Sequence, residues 1–439
     1  MRKTGMNSPA PPVSPPPRRP PGLLRRLLRS LGWTALVLLV LAAPTLAYHA
    51  RWSWPRAVVP AVGTAQEQQR AAAGMDPELA ARLMAIVRDA RATSGLPSLS
   101  AAVARTDGLD WAGASGWADI DRGQAAGVAS RYRTGSIAKP ITAVAMMRLA
   151  EAGALDLDAP GADAVAGLPP GLAPLTARQL ASHTAGVRHY SPMPYGWLWP
   201  GWFEANSQRH YPSVEAGLAM FADDRLRFAP GTGFQYSTFG YSLLSRLLEG
   251  ASGRPFPELL AAQVFAPAGM TGTAVDTPDA MPDRVAFYVG EGGRYTAARP
   301  VDSSFRIAGG GMVSTPADLA RLGVALQDGR LLSAEGIRAM WTAQPLADGS
   351  ANPQNYALGW RVDQSTRLFV DGRPLQVVHH GGTQAGAAAF LLLVPEQGLA
   401  VAVMANSISG RAQVQDTALV LAQELLQVPA KVEATPGAD

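Results

Sequence analysis

From Ser30 to Ala50 the chain carries no Asp, Glu, Lys or Arg, and the stretch includes Leu36-Val37-Leu38-Leu39-Val40-Leu41. As a helix this run is about 30 Å long, which matches the hydrocarbon core of a bilayer. A backbone in lipid must satisfy its own N–H and C=O groups, so a helix is the one local form open to it there. Trp33 at one end, with Tyr48, Trp52 and Trp54 at the other, fits interfacial aromatic belts. Residues 1–66 hold nine Lys or Arg and no acid, Glu67 being the first. That bias predicts a single span over 31–50, a cytoplasmic N-terminus and a body outside the cytoplasmic (inner) membrane.

Residues 1–30 contain eight prolines and the pairs Arg18-Arg19 and Arg25-Arg26, a composition expected of a disordered tail. Thr45-Leu46-Ala47 also has the small residues of a cleavage site, and Arg25-Arg26-Leu27-Leu28-Arg29 faintly resembles a twin-arginine signal. Anchor and cleaved leader both export the body; the long basic segment before the apolar run favours the anchor. Residues 51–74 then read as a tether rich in Ala and Gln, 75–428 as the folded body, and 429–439 as a frayed end. Without the leader's nine cations, 29 basic residues face 34 acidic ones, so the body has no surplus charge for a phosphate backbone. Nucleic acid is excluded as a partner on that ground. The chain has no cysteine, which removes disulfides and thiolate metal sites.

The body shows no internal repeat. Asp76-Pro77-Glu78-Leu79 opens a helix, with a capping acid, a first-turn proline and Leu79, Leu83, Ile86 and Val87 at helical spacing. Leu99–Ala104 and Leu109–Ala118 read as strands joined at Thr106-Asp107-Gly108. A helix is expected over about 136–152, mostly helix and loop over 175–265, strands at 356–363, 367–370, 388–394 and 399–404, and a helix over 411–427. Strands at both ends with helices between predict an α/β (α+β) body: a mixed, mainly antiparallel sheet flanked by helices, with an all-helical subdomain.

The segment Tyr132-Arg133-Thr134-Gly135-Ser136-Ile137-Ala138-Lys139-Pro140 carries the chemistry. Spacing of three puts Ser136 and Lys139 on one helix face, with Cβ atoms about 5–6 Å apart. Proline is tolerated only in the first turn of a helix, so Pro140 places Ser136 at the N-terminus, beside free N–H groups and the positive dipole end. Lysine occurs only at positions 3, 139 and 431, against 35 arginines. Arginine cannot give up its proton in a protein, whereas a buried lysine can, so Lys139 reads as selected for proton transfer to and from Ser136.

Ser136-Ile137-Ala138-Lys139 resembles the S-x-x-K motif of serine β-lactamases, penicillin-binding proteins and related esterases. Tyr236-Ser237-Thr238 resembles the family's Y-x-N element, and His379-His380-Gly381-Gly382 the H-x-G form of its K-T-G strand. Leu180–Val187 and Ala308–Thr315 are similar to two further signatures. Val187-Arg188-His189-Tyr190, Tyr236–Tyr241 and Asp302-Ser303-Ser304-Phe305 are similar to the mitochondrial branch of β-lactamase-like serine proteases and its bacterial relatives.

The resemblance implies the β-lactamase/transpeptidase-like fold and acyl transfer through a covalent intermediate on a peptide or ester substrate, without cofactor or metal. Ser136 is then the nucleophile, with Lys139 and Tyr236 accepting its proton and the N–H groups of Ser136 and Gly382 forming the oxyanion hole. His379 stands for the family's third-motif lysine and is expected to make the rate sensitive to pH near neutrality. Thr238, His380 and Gly381 are expected against the substrate, with His183 as a structural hydrogen-bonder. Thr238 replaces an asparagine and offers one donor for two, which weakens the case for β-lactam turnover. The Tyr195–Phe203 stretch, with Trp197 and Trp199, is expected to wall the pocket and favour apolar groups. Two other readings stay open: a penicillin-recognising sensor that acylates without turnover, and an assembling structural protein of undetermined oligomeric state. H-E-x-x-H, H-x-H-x-D and G-x-S-x-G are all missing, which argues against zinc hydrolases and α/β-hydrolases.

Overall fold

The computed structural model describes residues 22–52, 57–58 and 66–427, apart from 109, 191–203, 278, 280 and 370. Helix α1 spans Leu23–Trp52, and its Leu24–Ala47 segment is long and apolar enough to cross a membrane. It begins inside the stretch expected to be a disordered tail. Pro21 is the last proline before it, and Leu23-Leu24 and Leu27-Leu28 can continue the helix between the arginines.

The first strand of the main sheet, β1 (Glu67–Ala71), falls where a tether was expected. It is an exposed edge strand without apolar alternation, which is why its sequence does not read as strand. Helix α2 (Pro77–Ser94) follows, capped by the Asp76 side chain and ended by Gly95 in the left-handed region. Strands β2 (Ser98–Arg105) and β3 (Asp110–Asp119) form a hairpin. Helix α3 (Ala138–Glu151) starts one residue after a 3-10 turn at Gly135–Ile137. Helix α4 (Thr238–Ser252) lies in the helical middle, and α5 (Pro316–Gln327) leads back to the sheet. Strands β4 (Arg361–Ser365), β5 (Leu375–Gln384), β6 (Ala387–Val394) and β7 (Leu399–Ala405) precede α6 (Arg411–Leu426). Residues 367–369 are a bend, not the strand expected there.

The sheet runs β4-β5-β6-β7-β2-β3-β1, antiparallel throughout. Strand β7 brings the C-terminal half against β2, so the two ends of the body share one sheet. Helices α2 and α6 cover one face through Leu83, Val87, Val414 and Leu421; α3, α4 and α5 cover the other through Ile141, Leu244 and Leu322. Burial from both sides explains why Ala-Ala-Ala-Phe-Leu-Leu-Leu-Val of β6 is apolar without alternation.

Candidate active site

The site forms where the 3-10 turn before α3 meets the open edge of β5. Strand β4 pairs β5 only from Leu375 to His379, so His380–Gln384 has β6 on one side alone. Two glycines let the turn and the strand touch. A Cβ on Gly382 would lie 2.0 Å from Thr134 O and 3.1 Å from Ser136 N. Gly135 has φ +50°, and a Cβ there would lie 2.6 Å from the Thr383 nitrogen. Both contacts exclude any larger residue.

Ser136 is half-buried and lines a cleft of about 810 Å³. Lys139 is fully buried, with Nζ 3.3 Å from Ser136 Oγ, 3.2 Å from Thr238 Oγ1 and 2.6 Å from Gly309 O. Burial, with the nearby Arg306 guanidinium, holds its ammonium well below the ordinary lysine range. Thr238 opens α4, positioned by the Ser237 cap and by its own N–H donating to His189 Nδ1 at 3.1 Å. Tyr236 precedes that cap; its ring centroid is 4.7 Å from Lys139 Nζ and it lines the cleft with Ser136. Burial pushes the Tyr236 phenol up, against the influence of the nearby Ser136 hydroxyl.

The two histidines, both expected at the site, project from opposite faces of β5. Side chains alternate along a strand, and the face of Gly382 that meets Ser136 is also the face of His380. His380 is buried; its Nε2 lies 2.9 Å from Tyr356 Oη and its ring 6.2 Å from the Tyr236 ring. His379, expected at the catalytic centre, points from the opposite face of the strand, although it also lines the cleft. Its Nε2 is 2.7 Å from Asp363 Oδ2 and its ring stacks 5.5 Å from Phe390. The four letters H-H-G-G satisfy H-x-G in two registers, and only strand pairing selects between them. The expected titration near neutrality also changes. Burial, reinforced by Lys139, holds His380 well below its ordinary value, so that imidazole is neutral.

His183 is a hydrogen-bonder: Nδ1 accepts from Ser237 N–H at 3.2 Å, and its ring lies 4.3 Å from that of Tyr236. Burial keeps His183 well below its ordinary value and His189 at about 4. Gly381 lines the cleft beside His380. Trp197, Trp199 and the rest of Tyr195–Phe203 lie outside the described residues. Arg306, Gly309, Tyr356 and Thr383 were not singled out from sequence. Gly309 sits in the quoted Ala308–Thr315 motif, and a Cβ there would lie 2.6 Å from Thr238 Cγ2, so close packing explains the residue. No group of three or more His, Asp or Glu able to hold a metal occurs among the described residues.

The family profile described as Beta-lactamase matches residues 83–424. The human serine beta-lactamase-like protein LACTB, mitochondrial, is 28% identical over 383 residues, covering 69% of this chain and 70% of its own. Esterase EstB of Burkholderia gladioli is 33% identical over 214 residues, 45% of this chain and 54% of its own. The crystal structure of a penicillin-binding protein from Bacillus halodurans superposes with a TM-score of 0.64 at 25% identity, over 77% of this chain and 98% of that one. With the match running from α2 to α6 and spanning the Ser136 turn, the chain belongs to the beta-lactamase family and is a serine hydrolase.

Proposed function

We propose that this chain is an exported, membrane-tethered serine hydrolase that opens peptide or ester bonds through an acyl-enzyme on Ser136. One observation carries the reading: a fully buried lysine, held toward its neutral form, lies 3.3 Å from a cleft-lining serine hydroxyl. Ser136 Oγ attacks the carbonyl carbon, its proton passes to the Lys139 lone pair, and the carbonyl π electrons move to oxygen. Tyr236, in the cleft beside Ser136 and Lys139, relays that proton to the leaving amine or alkoxide when the C–N or C–O bond breaks. Water then repeats the sequence on the acyl-enzyme.

Two backbone N–H groups receive the oxyanion. Ser136 at its helix start is one. Adjacent strand residues aim their N–H groups at opposite edges, so Gly382 and Thr383 cannot both donate across the open edge. The Thr383 nitrogen is the one packed against Gly135, and the donor moves from Gly382 to Thr383 with the histidine register. His380 and Tyr356 form a neutral pair behind Tyr236.

Thr238 favours a second reading for β-lactams: acylation with slow release, because its hydroxyl offers one donor for the substrate amide while facing Lys139. A panel of L-peptides, D-Ala-D-Ala peptides, nitrophenyl esters and nitrocefin separates the two on wild type and Ser136→Ala. A burst without turnover supports the sensor; steady turnover lost in Ser136→Ala supports the hydrolase. Activity that survives in Ser136→Ala sinks both. For α1, the reading is an uncleaved anchor with its N-terminus in the cytoplasm; protease digestion of spheroplasts is expected to degrade the body and leave the anchor in the membrane.

A further inference from the structure

The chain between the apolar helix and the main sheet has a fixed point. Ala57–Val58 forms a short strand antiparallel to Arg294–Ala297, with Ala57 opposite Tyr295 and Val58 opposite Arg294. Arg294–Ala297 in turn pairs with Tyr288–Glu291, so the chain leaving α1 supplies the third strand of a small sheet. That sheet is fastened to the body. Tyr288 N–H donates to Asn406 O at 3.0 Å, and Tyr288 Oη accepts from Ile120 N–H at 2.8 Å. A Cβ on Gly386, in the turn between β5 and β6, would lie 2.6 Å from the Cβ atoms of Phe287 and Ala298. Val289 of the hairpin, and Arg299 just past it, line the cleft with Ser136.

Covalent reach then limits how far the cleft can stand from the bilayer. The apolar span ends at Ala47 and the helix at Trp52. Five helical residues rise about 7.5 Å, and the five steps from Trp52 to Ala57 reach about 18 Å at most. The strand of Val289 lies two strand spacings beyond Ala57, about 10 Å. The cleft wall is therefore within about 35 Å of the hydrocarbon, and the headgroup layer fills about 5–8 Å of that. A body of this size is about 53 Å across, so even at full stretch the cleft wall stands no higher than about its middle. Had the chain first met the body at β1, residues 53–66 would span about 50 Å and leave the cleft free to face any way.

The lining suits that position. Among the described residues outside α1, Ile408 and Val420 are the large apolar side chains left exposed, and Ile408, 44% exposed, lines the cleft together with Val289 and Phe390. The neighbouring Ser407 forms a β-bridge with Tyr288, which places Ile408 at the hairpin end of the cleft. Among the described residues no Asp or Glu lines the cleft, whereas Arg299, Arg306, Arg361 and Arg411 do, a set complementary to phosphate or carboxylate headgroups.

We propose that the docked tether strand holds the cleft at the membrane surface, where it takes an amphiphilic ester or amide from the bilayer. The inference rests on Ser136 as the nucleophile and on α1 as an uncleaved anchor; the chemical step is the acyl transfer to Ser136 and then to water already described. It is tested on the full chain in mixed phosphatidylcholine–phosphatidylglycerol vesicles, comparing 4-nitrophenyl palmitate seated in the bilayer with water-soluble 4-nitrophenyl acetate. An insertion of about 60 Gly and Ser residues after Arg56 leaves the docked strand and the cleft as they are and lengthens the tether by roughly 40–45 Å. The palmitate rate is expected to fall about tenfold in that variant while the acetate rate stays within about twofold.

A palmitate-to-acetate ratio that the insertion leaves unchanged overturns the proposal, and so does a wild type that hydrolyses acetate but not vesicle-borne palmitate. A dye placed on Ser136 by a fluorophosphonate gives a second readout through energy transfer to rhodamine-labelled lipid, expected to be strong in wild type and lost in the insertion variant. If the variant loses both activities, the wild-type transfer decides alone: weak transfer from a labelled Ser136 overturns the proposal and leaves the hydrolase reading standing. Labelling of Ser136→Ala at the wild-type rate removes that reading and the proposal with it, and labelled body released from the vesicles removes the anchor.

Discussion

The turn that carries Ser136 divides two treatments of buried positive charge. On its N-terminal side Arg133 donates to Asp276 Oδ2 at 2.8 Å and to Ala385 O at 2.9 Å, and Arg284 reaches the other Asp276 oxygen at 3.3 Å. Ser303 and Gln384 complete the cluster. On its C-terminal side Lys139 and Arg306 are as deeply buried, and neither is paired with a carboxylate among the described residues. The first arrangement satisfies charge in order to hold the turn against β5. The second withholds the counter-ion, and the result is an amine that can accept a proton instead of an ion pair that cannot. Ion pairing at Lys139 would raise its proton affinity and hold it protonated, unable to take the Ser136 proton that the proposed mechanism assigns to it.

The largest expected effect is at Lys139. Lys139→Arg puts a permanent cation in place of the amine and removes the lone pair that takes the proton, so fluorophosphonate phosphonylation of Ser136 is expected to slow roughly a thousandfold or more. A rate within tenfold of wild type would break the comparison at its active end. At the paired end, Asp276→Asn leaves Arg133 buried without its counter-ion. Chemical denaturation is expected to show a loss of about 3–5 kcal/mol. A loss below about 1 kcal/mol would mean that the pair is not what secures the turn.

The histidines sharpen the contrast within one strand. His380→Ala is expected to lower kcat/KM about ten- to a hundredfold by loosening Tyr236 and Tyr356, while His379→Ala stays within about threefold. Equal effects would return the site to the other register. The smallest effect concerns acid stability. The folded state holds His189 neutral down to about 4, whereas the unfolded chain takes the proton near 6.5. Protonation therefore favours the unfolded state, and stability is lost as pH falls from 6.5 towards 4. Urea midpoints across that window are expected to fall less steeply in His189→Gln than in wild type.

Local features were legible at two helix starts marked by a cap or a first-turn proline. Asp76-Pro77 and Ser136 to Pro140 both lie where their chemistry requires, because caps and prolines act within one turn. Strands β2, β3, β6 and β7 of the sheet interior were legible as apolar runs, whereas β5, which ends in His-His-Gly-Gly-Thr-Gln, was not. Strand β1 was not, since an exposed edge strand needs no apolar face. The basic segment at Leu23–Ser30 was read as tail because its charge outweighed its leucines, yet nothing in it interrupts a helix.

The sequence by itself determined the apolar leader, the family, the pairing of Ser136 with Lys139, and the retention of one lysine in an arginine-using body. Those follow from composition and from spacings shorter than a helical turn. Tertiary structure alone decided that His380 lies on the Gly382 face of β5 while His379 turns to Asp363, that Gly309 comes to Lys139, and that Thr383 rather than Gly382 faces Gly135. Each depends on strand register or on segments more than a hundred residues apart, and a slip of one residue turns every side chain of a strand to its other face.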